Sequence, residues 1–372
     1  MILLDAQQPA RRSPLSGLHI DTPLLVGLLL LSGLGLIVLY SASGEDMGMV
    51  TRQAMRLGVA FVLMLVLAQI SPETLRRWTP YLFGIGLMLL LAVLILGVIG
   101  KGAQRWLDLG IMRFQPSELM KLAVPMMVAW YLAETPLPPP LRRVFIGAVI
   151  FAVPALLIAK QPDLGTALLI ISAGGFVLLF AGLPWRFVLF TVLLAIPAAI
   201  ILWKFGMHDY QRQRVLTFLN PETDPLGAGY HIIQSTIAIG SGGIYGKGWL
   251  NGTQSHLEFL PERHTDFIFA VYGEEFGLLG ILLLLAIYLF IILRCLYIAS
   301  RAQDTFTRLL AGGLTMTFLV YVFVNTGMVS GLLPVVGVPL PLVSYGGSSM
   351  VTLMASFGML MSIHTHRKLL KM

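Results

Sequence analysis

The run Leu279-Gly-Ile-Leu-Leu-Leu-Leu-Ala-Ile-Tyr-Leu-Phe-Ile-Ile-Leu293 decides the fold class of this chain. It has no charged residue and approaches the roughly 20 apolar residues with which an α-helix crosses a bilayer. A similar run covers residues 24–40. The whole chain of 372 residues is 57% hydrophobic and only 12% charged, whereas about a quarter of the residues in a soluble domain are charged. We therefore predict an all-α, polytopic membrane protein.

Apolar runs of this kind recur along the chain and predict ten transmembrane helices. We expect them near residues 22–42, 53–70, 79–99, 117–134, 143–160, 164–182, 186–205, 266–293, 307–327 and 347–364. The predicted membrane domain covers residues 21–364, between a tail at 1–20 and a tail at 365–372. Residues 206–265 form one large loop, in which residues 231–240 are predicted to be a short helix on the membrane surface.

Positive charges set the predicted orientation. An even number of spans places both termini on one side, and the short loops on that side carry Arg76, Arg77, Arg142, Arg143, Arg186, Arg294, Arg301 and Arg308. Because short cytoplasmic loops are enriched in Lys and Arg, we predict that both termini are cytoplasmic and that the large loop is extracytoplasmic. Cations that topology does not require, among them Arg52, Arg105 and Lys121, lie on the outer side and suit an anionic ligand such as a phosphate.

Asp266 is the predicted chemical centre. It lies in Glu258-Phe-Leu-Pro-Glu-Arg-His-Thr-Asp266-Phe-Ile-Phe-Ala-Val-Tyr-Gly-Glu-Glu-Phe-Gly277, which runs without an evident break from a charged loop into a long apolar helix. Ionisable groups at membrane depth are costly and mark functional sites. We expect Thr265 or His264 to cap the helix and Asp266 to occupy its first turn, where the helix dipole favours a carboxylate. The alternative is that Asp266 is merely an acidic residue of a first turn.

Helical geometry separates Asp266 from the next carboxylates. At 100° per residue, Glu275 would point away from Asp266, and Glu274 would lie about 80° round the helix. The residues that would share a face with Asp266 are small: Ala270, Gly273, Gly277 and Gly280. Small residues beneath a carboxylate allow close helix packing or a cleft.

A second candidate group is Gln115-Pro-Ser-Glu118-Leu-Met-Lys121, in which Pro116 suits a first helical turn. Glu118 and Lys121 are three residues apart and share a helix face. An unpaired ammonium inside a span is costly, so Lys121 should bind Glu118 or a carboxylate on another helix. A structural ion pair is one interpretation; the sharper hypothesis is that Lys121 pairs with Asp266.

Two further segments lie between predicted spans. Lys160-Gln-Pro-Asp163-Leu-Gly-Thr166 predicts a tight turn in which Asp163 caps the next helix or occupies its first turn. Arg105-Trp106 places a cation beside an aromatic ring at the interface, where Trp commonly anchors a membrane protein. Asn325 and residues 331–347 put irregular backbone near membrane depth, which is tolerated only inside protein or around a cavity.

Several classes of function lack the residues they need. The sequence has no His and Cys arrangement with zinc spacing, no Walker A motif and no nucleophile elbow. Nothing in it indicates nucleic-acid binding. We expect no organic cofactor; a divalent cation could assist, but the sequence identifies no ligand set for one.

The segment from Asn325 to Ser349 then suggests a family. Asn325-Thr-Gly-Met-Val-Ser-Gly-Leu-Leu-Pro-Val-Val-Gly-Val-Pro-Leu-Pro-Leu-Val-Ser344-Tyr-Gly-Gly-Ser-Ser349 closely resembles the signature of the SEDS family (shape, elongation, division and sporulation proteins). Further blocks similar to the family are Gly-Ala-Gln-Arg-Trp106-Leu, Gln-Pro-Ser-Glu118, Lys-Gln-Pro-Asp163-Leu-Gly-Thr and Pro-Glu-Arg-His-Thr-Asp266-Phe-Ile-Phe. The resemblance covers essentially the whole chain and is strongest to the branch that acts in rod-shape elongation.

The resemblance implies ten transmembrane helices in the bacterial cytoplasmic membrane and peptidoglycan glycosyltransferase activity. Its implied substrate is lipid II, a disaccharide-pentapeptide on undecaprenyl pyrophosphate. Implied partners are a class B penicillin-binding protein, which supplies transpeptidation, and other proteins of the elongation complex. The family's essential carboxylate corresponds to Asp266, and its cavity residues correspond to Trp106, Glu118 and Lys121. Ser344 of the signature is a further candidate for a supporting role.

The expected chemistry agrees with the residues. A pyrophosphate-linked donor is already activated, so polymerisation at the outer face needs no ATP. We hypothesise that Asp266 accepts the proton of the acceptor 4-hydroxyl and that Arg52, Arg105 and Lys121 bind the pyrophosphate. The alternative is a lipid II flippase, a transporter without chemistry, for which charged groups would continue to the inner side. A structural scaffold would leave Asp266 and Lys121 unexplained.

Overall fold

A computed structural model describes residues 19–100, 103–108, 113–201, 203–204, 209–220, 228–256 and 262–366. Most of these residues are helical. In chain order the helices are α1 (Thr22–Ala42), α2 (Met47–Gln69), α3 (Pro72–Leu96), α4 (Pro116–Leu132), α5 (Leu141–Lys160), α6 (Leu164–Phe180), α7 (Trp185–Ile201), α8 (Asp209–Leu219), α9 (Ala228–Ser241), α10 (Thr253–His256), α11 (Ile268–Ser300), α12 (Thr305–Val329) and α13 (Ser348–Thr365).

The helices confirm the membrane class. Within the described ranges, six helices are long and apolar enough to cross a bilayer, namely α1, α2, α3, α5, α11 and α12, and α6 is a shorter apolar helix. The other predicted spans coincide with α4, α7 and α13. Large apolar side chains such as Met88 and Ile95 are mostly exposed, as expected where lipid is the solvent and a helix satisfies its own backbone hydrogen bonds.

Within the residues that the structure describes, a small antiparallel sheet departs from the all-α prediction. Its strands are β1 (Val98–Gly100), β2 (Ala103–Asp108) and β3 (Arg113–Phe114), in the order β1-β2-β3. Ile99 pairs with Gln104, and Leu107 pairs with Phe114. Short strands of this kind have no long alternating pattern to reveal them. The sheet joins α3 to α4, in the segment that the sequence predicted as a loop.

Helix α11 is broken near its N-terminal end. Gly277 has φ 64° and ψ −164°, a conformation nearly restricted to glycine. Residues 242–248 satisfy the backbone groups freed by the break: the N–H of Lys247 donates to the Glu274 carbonyl at 3.1 Å, and the N–H of Leu278 donates to the Gly243 carbonyl at 2.9 Å. A Cβ atom on Gly277 would collide with the backbone nitrogen of Gly246. The sequence prediction of an unbroken helix was therefore wrong.

The described part of the large loop packs on the helices. Helix α9 confirms the predicted short helix at residues 231–240. The hydroxyl of Ser235 donates to the Val329 carbonyl at 2.9 Å, and Ile239 lies against Gly273. Helix α9 thus supports the N-terminal end of α11 and the C-terminal end of α12.

The start of α1 meets the C-terminal parts of α11 and α13 on the opposite side. Asp21 caps α1 by accepting from the N–H of Leu24 at 2.9 Å. It also binds Arg294 of α11 at 2.6 Å and lies 2.8 Å from His364 of α13. Although burial opposes ionisation, His364, Arg294 and the Leu24 N–H hold the pKa of Asp21 well below its usual range. This ion-pair group joins the start of α1 to the cytoplasmic ends predicted for α11 and α13.

Candidate active site

Asp266 lies in a turn just before α11, not in the first turn of the helix. Residues 262–267 form turns, and the N-cap residue is Phe267. The helical phase used to place Ala270, Gly273, Gly277 and Gly280 on the face of Asp266 therefore does not apply, and the break at Gly277 changes the phase again. The prediction that Glu275 belongs to another contact is confirmed, because Glu275 accepts a hydrogen bond from Ser41 of α1.

The irregular segment at residues 331–347, called here the signature loop, surrounds the turn of Asp266. Gly337 has φ 75°, and a Cβ atom there would lie 3.5 Å from Oδ2 of Asp266. The carboxylate therefore faces a stretch of bare backbone. Val338, Leu340 and Ser344 are buried, which confirms that irregular backbone at this depth lies inside protein.

Hydrogen bonds from the signature loop hold the residues before Asp266. The hydroxyl of Ser344 donates to the Thr265 carbonyl at 2.6 Å and accepts from the N–H of Leu340 at 2.8 Å. The N–H of Tyr345 donates to the His264 carbonyl at 2.8 Å. Ser344 is thus a supporting residue that fixes the backbone of the turn.

Arg52, Trp106 and Glu118 line one cavity of about 790 Å³ between α2, α4, α13 and the small sheet. Its other walls are mainly apolar, with Val59, Leu63, Phe114, Leu119, Leu122, Val351 and Ala355. This lateral cavity unites three predicted site residues from separate segments. Arg52 is half exposed and lies 3.7 Å from Asp46, so its guanidinium is accessible to a ligand.

Lys121 binds Glu118. Its Nζ lies 2.7 Å from Oε1 of Glu118, and both side chains are buried. Nζ also lies 5.1 Å from the centre of the Tyr321 ring, a favourable position for a cation. The structure shows the ion pair that the three-residue spacing predicts; the hypothesis of a pair with Asp266 stays a prediction. Oε2 of Glu118 is buried and has no hydrogen-bond partner among the described residues.

Asp163 and Arg105 form a support for the small sheet. Asp163 caps α6 by accepting from the N–H of Thr166 at 3.2 Å, which confirms the predicted cap. Arg105 donates to the Pro162 carbonyl at 2.8 Å and lies 3.7 Å from Asp163. These contacts hold β2, and with it Trp106, beside the start of α6. A phosphate-binding role for Arg105 stays a prediction.

Sequence reasoning missed Gln53 at this site and counted Arg56 only among the cations predicted on the outer side. Gln53 of α2 is buried and binds the signature loop, and Arg56 lines the lateral cavity 4.7 Å from the centre of the Tyr345 ring. The available signal was polarity at the start of a predicted span, since Gln53 and Arg56 come just before the apolar run of residues 57–68.

A divalent cation has no evident ligand set in the described ranges, where no three His, Cys, Asp or Glu side chains lie close enough to share a metal ion. The proposal of an assisting cation therefore stays untested.

Comparisons with known proteins give the context of this site. Residues 22–369 match the family model for FtsW, RodA and SpoVE, described as cell cycle protein. The peptidoglycan glycosyltransferase MrdB of Escherichia coli K12 is 58% identical over 362 residues, which cover 97% of this chain and 98% of the relative.

Two solved structures share the fold. A chain from a peptidoglycan synthase complex that coordinates polymerisation and crosslinking superposes with a TM-score of 0.81 at 34% identity, covering 92% of this chain and 97% of that chain. The rod shape determining protein RodA of Thermus thermophilus superposes with a TM-score of 0.72 at 29% identity, covering 94% of this chain and 98% of that chain.

Proposed function

This chain belongs to the FtsW, RodA and SpoVE family of cell cycle proteins, and from that premise we infer that Asp266 is the catalytic carboxylate of a peptidoglycan glycosyltransferase. The protein is a peptidoglycan glycosyltransferase, as its relatives at high identity are. The proposed substrate is lipid II. The proposed product is a β-1,4 glycan strand made at the outer face of the cytoplasmic membrane during elongation, with release of undecaprenyl pyrophosphate.

The protein is a multi-pass membrane protein with a RodA-like fold. The proposed arrangement has ten spans within residues 21–364, cytoplasmic tails at 1–20 and 365–372, and residues 206–265 outside the membrane. Loop charges support it. Further support comes from the grouping of Asp21, Arg294 and His364 at one end and of Arg52, Trp106 and Glu118 at the other.

The lateral cavity is the observation that best supports a lipid-linked substrate. It is largely apolar, which suits a polyprenyl chain, and Arg52 and Arg56 stand near the outer start of α2. Leu63 lines the same cavity. It lies about 10 Å from Arg56 along the axis of α2, at a rise of 1.5 Å per residue. A lipid diphosphate would place its chain against the deeper wall and its charged head beside the arginines.

Asp266 supplies the base in the proposed reaction. The acceptor 4-hydroxyl oxygen attacks the anomeric carbon of the donor sugar, its proton passes to the Asp266 carboxylate, and the bond to the pyrophosphate oxygen breaks. Attack from the face opposite the leaving group converts an α-linked donor into a β-linked product. General base catalysis of this kind typically contributes about 10²–10⁴-fold to the rate.

Cations stabilise the leaving group in this proposal. Charge develops on the pyrophosphate as its bond to the sugar breaks, and fixed cations at that point lower the barrier. Arg52 is accessible in the lateral cavity. Lys121 acts through Glu118, whose free oxygen faces sugar hydroxyls, while Arg105 is already engaged by Pro162 and Asp163.

A class B penicillin-binding protein is the proposed partner, together with other elongation-complex proteins. A solved structure similar to this chain belongs to a complex that couples polymerisation to crosslinking. Bound membrane lipid is also expected around the exposed apolar helix faces. No nucleic acid is expected to bind.

The test uses the purified full chain with its partner and labelled lipid II. Wild-type protein should form glycan chains longer than one disaccharide, and Asp266→Asn should lose at least about 99% of that activity with an unchanged thermal midpoint. Asp108→Asn, a matched change at an exposed position, should retain activity.

Two results would contradict the proposal. One is normal polymerisation by Asp266→Asn. The other is transport of lipid II across vesicles by wild-type protein without any glycan product, which would identify the flippase alternative.

A further inference from the structure

Gln53 lies where the wall of the lateral cavity meets the signature loop. Its neighbour Arg52 and the next-turn Arg56 both line the cavity, but the Gln53 side chain points inward and is only 2% exposed. It begins the buried face of α2, which continues through Leu57, Ala60, Met64 and Ala68 toward α13. One helix therefore presents cations to the cavity and an amide to the protein interior.

The Gln53 amide holds the signature loop on both sides of Tyr345. Its Nε2 donates to the Ser344 carbonyl at 3.1 Å, and its Oε1 accepts from the N–H of Gly346 at 3.3 Å. A primary amide that donates and accepts in this way replaces the pair of hydrogen bonds that a neighbouring strand would form. In a buried setting such bonds are strong, and losing either leaves a backbone group unsatisfied.

The same loop residues hold the turn of Asp266 from the other side. Ser344 donates to the Thr265 carbonyl at 2.6 Å, and Tyr345 donates to the His264 carbonyl at 2.8 Å. One peptide bond separates Thr265 from Asp266. A continuous series of hydrogen bonds thus runs from α2 through residues 344–346 to the backbone of His264 and Thr265, directly before Asp266.

Arg56 connects the lateral cavity to this series of hydrogen bonds through the ring of Tyr345. Its guanidinium lies over the Tyr345 ring, 4.7 Å from the centroid, while His264 contacts the ring edge-on with 6.1 Å between centroids. A lipid head that binds Arg52 and Arg56 would therefore hold α2 and the loop together.

We propose that Gln53 is a positioning residue for glycosyl transfer: it couples the α2 wall of the lateral cavity to the placement of the Asp266 carboxylate. This inference rests on the proposed function. Gln53 touches no reacting atom and acts through Ser344 and Tyr345. Displacement of a catalytic group by about 1 Å costs on the order of 100-fold in rate, so a small shift of the turn has a large kinetic effect.

The test is Gln53→Met, which keeps the side-chain length and removes both hydrogen bonds. We expect kcat for lipid II polymerisation to fall about 10- to 100-fold, while KM changes less than about twofold because the cavity is intact. Gln69→Met, the same change at an exposed position on α2, should leave both constants unchanged. A rise in KM at unchanged kcat, or no change at all, would overturn the proposal.

A second comparison separates positioning from general destabilisation. If Gln53 acts through Ser344, Gln53→Met and Ser344→Ala should not be additive in kcat, because either change already breaks the series. Fully multiplicative losses would contradict coupling through Ser344. Gln53→Glu, which keeps the acceptor for Gly346 and loses the donor to Ser344, should lower kcat as well, and it replaces Gln53→Met if that variant unfolds.

The two proposals fail in different ways. Polymerisation that is lost in Asp266→Asn but normal in Gln53→Met and Gln53→Glu would refute the positioning role and leave the function intact. Absence of glycan product from wild-type protein would instead refute the proposed function, and with it the role of Gln53.

Discussion

The side-chain nitrogen of Asn325 donates a hydrogen bond to the backbone carbonyl of Asp266 at 3.0 Å, across 59 positions of sequence. The same nitrogen donates to the Val338 carbonyl at 2.7 Å, and Asn325 is fully buried. One amide thus connects α12, the turn of Asp266 and the signature loop. Both carbonyls accept from this one side-chain nitrogen.

Asn325→Ala should impair both stability and catalysis. Two carbonyls would lose this donor, at about 1–3 kcal/mol of unfolding free energy for each buried group left unsatisfied. The freed turn should also lower kcat about tenfold or more. Thermal unfolding in detergent and lipid II turnover measure the two effects. Asn251→Ala, at an exposed asparagine, should change stability by less than about 0.5 kcal/mol. Equal behaviour of the two variants would contradict this role for Asn325.

Lys247→Met should destabilise the break in α11. Its Nζ lies 2.6 Å from Oε1 of Glu274, whose side chain is fully buried, and Glu274 also accepts from Thr253 at 3.0 Å. Removing one partner of a buried ion pair costs roughly 3–5 kcal/mol, because the other charge stays buried. The measurement is the thermal midpoint.

The matched double variant is Lys247→Met with Glu274→Gln, which removes both charges. It should recover most of the stability lost in the single variant. A double variant as unstable as the single would show that the charge of Glu274 is not the cause.

Single and double variants of Glu118 and Lys121 should show whether this ion pair serves activity as well as stability. Lys121→Met or Glu118→Gln alone leaves a buried charge, with a loss of roughly 3–5 kcal/mol and a sharp fall in turnover. The double variant should regain stability and remain inactive, because the lateral cavity has lost the carboxylate of Glu118. Recovery of activity together with stability would mean that the pair is only structural.

An exposed pair provides the control for that experiment. Arg143 lies 3.6 Å from Glu134, whose side chain is 43% exposed. Exposed ion pairs contribute about 0–1 kcal/mol, so Glu134→Gln should leave both the thermal midpoint and turnover close to those of the wild type.

Acidification should weaken the contact between His19, just before α1, and His366, at the end of α13. The ring of His19 stacks on His366 with 3.8 Å between centroids and lies 3.2 Å from the Thr365 hydroxyl. Burial and the neighbouring His366 lower the pKa of His19 from 6.5. Because the unfolded chain then binds more protons below pH 6.5, stability from His19 is present above that pH and is lost as the pH falls.

His19→Phe tests this effect, since phenylalanine can stack on His366 and cannot bind a proton. Between about pH 7.5 and about pH 5.5, the range in which histidine titrates, the wild-type thermal midpoint should fall more than that of the variant. Arg76, Glu73 and Asp304 line the same cavity as His19 and His366 and are present in both proteins. An equal fall in both would exclude His19 as the sensor.

The sequence by itself determined the membrane class and much of the site. A long apolar run is stable only in a bilayer or a protein core. The positions of these runs therefore predicted the membrane helices. Asp163 as a helix cap and Glu118 with Lys121 as a pair followed from short spacings, because neighbours three residues apart on a helix must meet. The resemblance to a known family, carried by residues 325–349, indicated Asp266.

Only the tertiary structure decided how those residues are held. The break at Gly277 is stabilised by residues 242–248, which lie about 30 positions earlier in the chain and which no local pattern connects to it. The same holds for the bonds of Asn325 and Ser344 to the turn of Asp266, and for Gln53 on the signature loop. A buried backbone group takes whichever donor or acceptor packing brings to it, and that choice depends on contacts between distant segments. For this reason the sequence indicated Asp266 as the carboxylate, and the folded chain determined its surroundings.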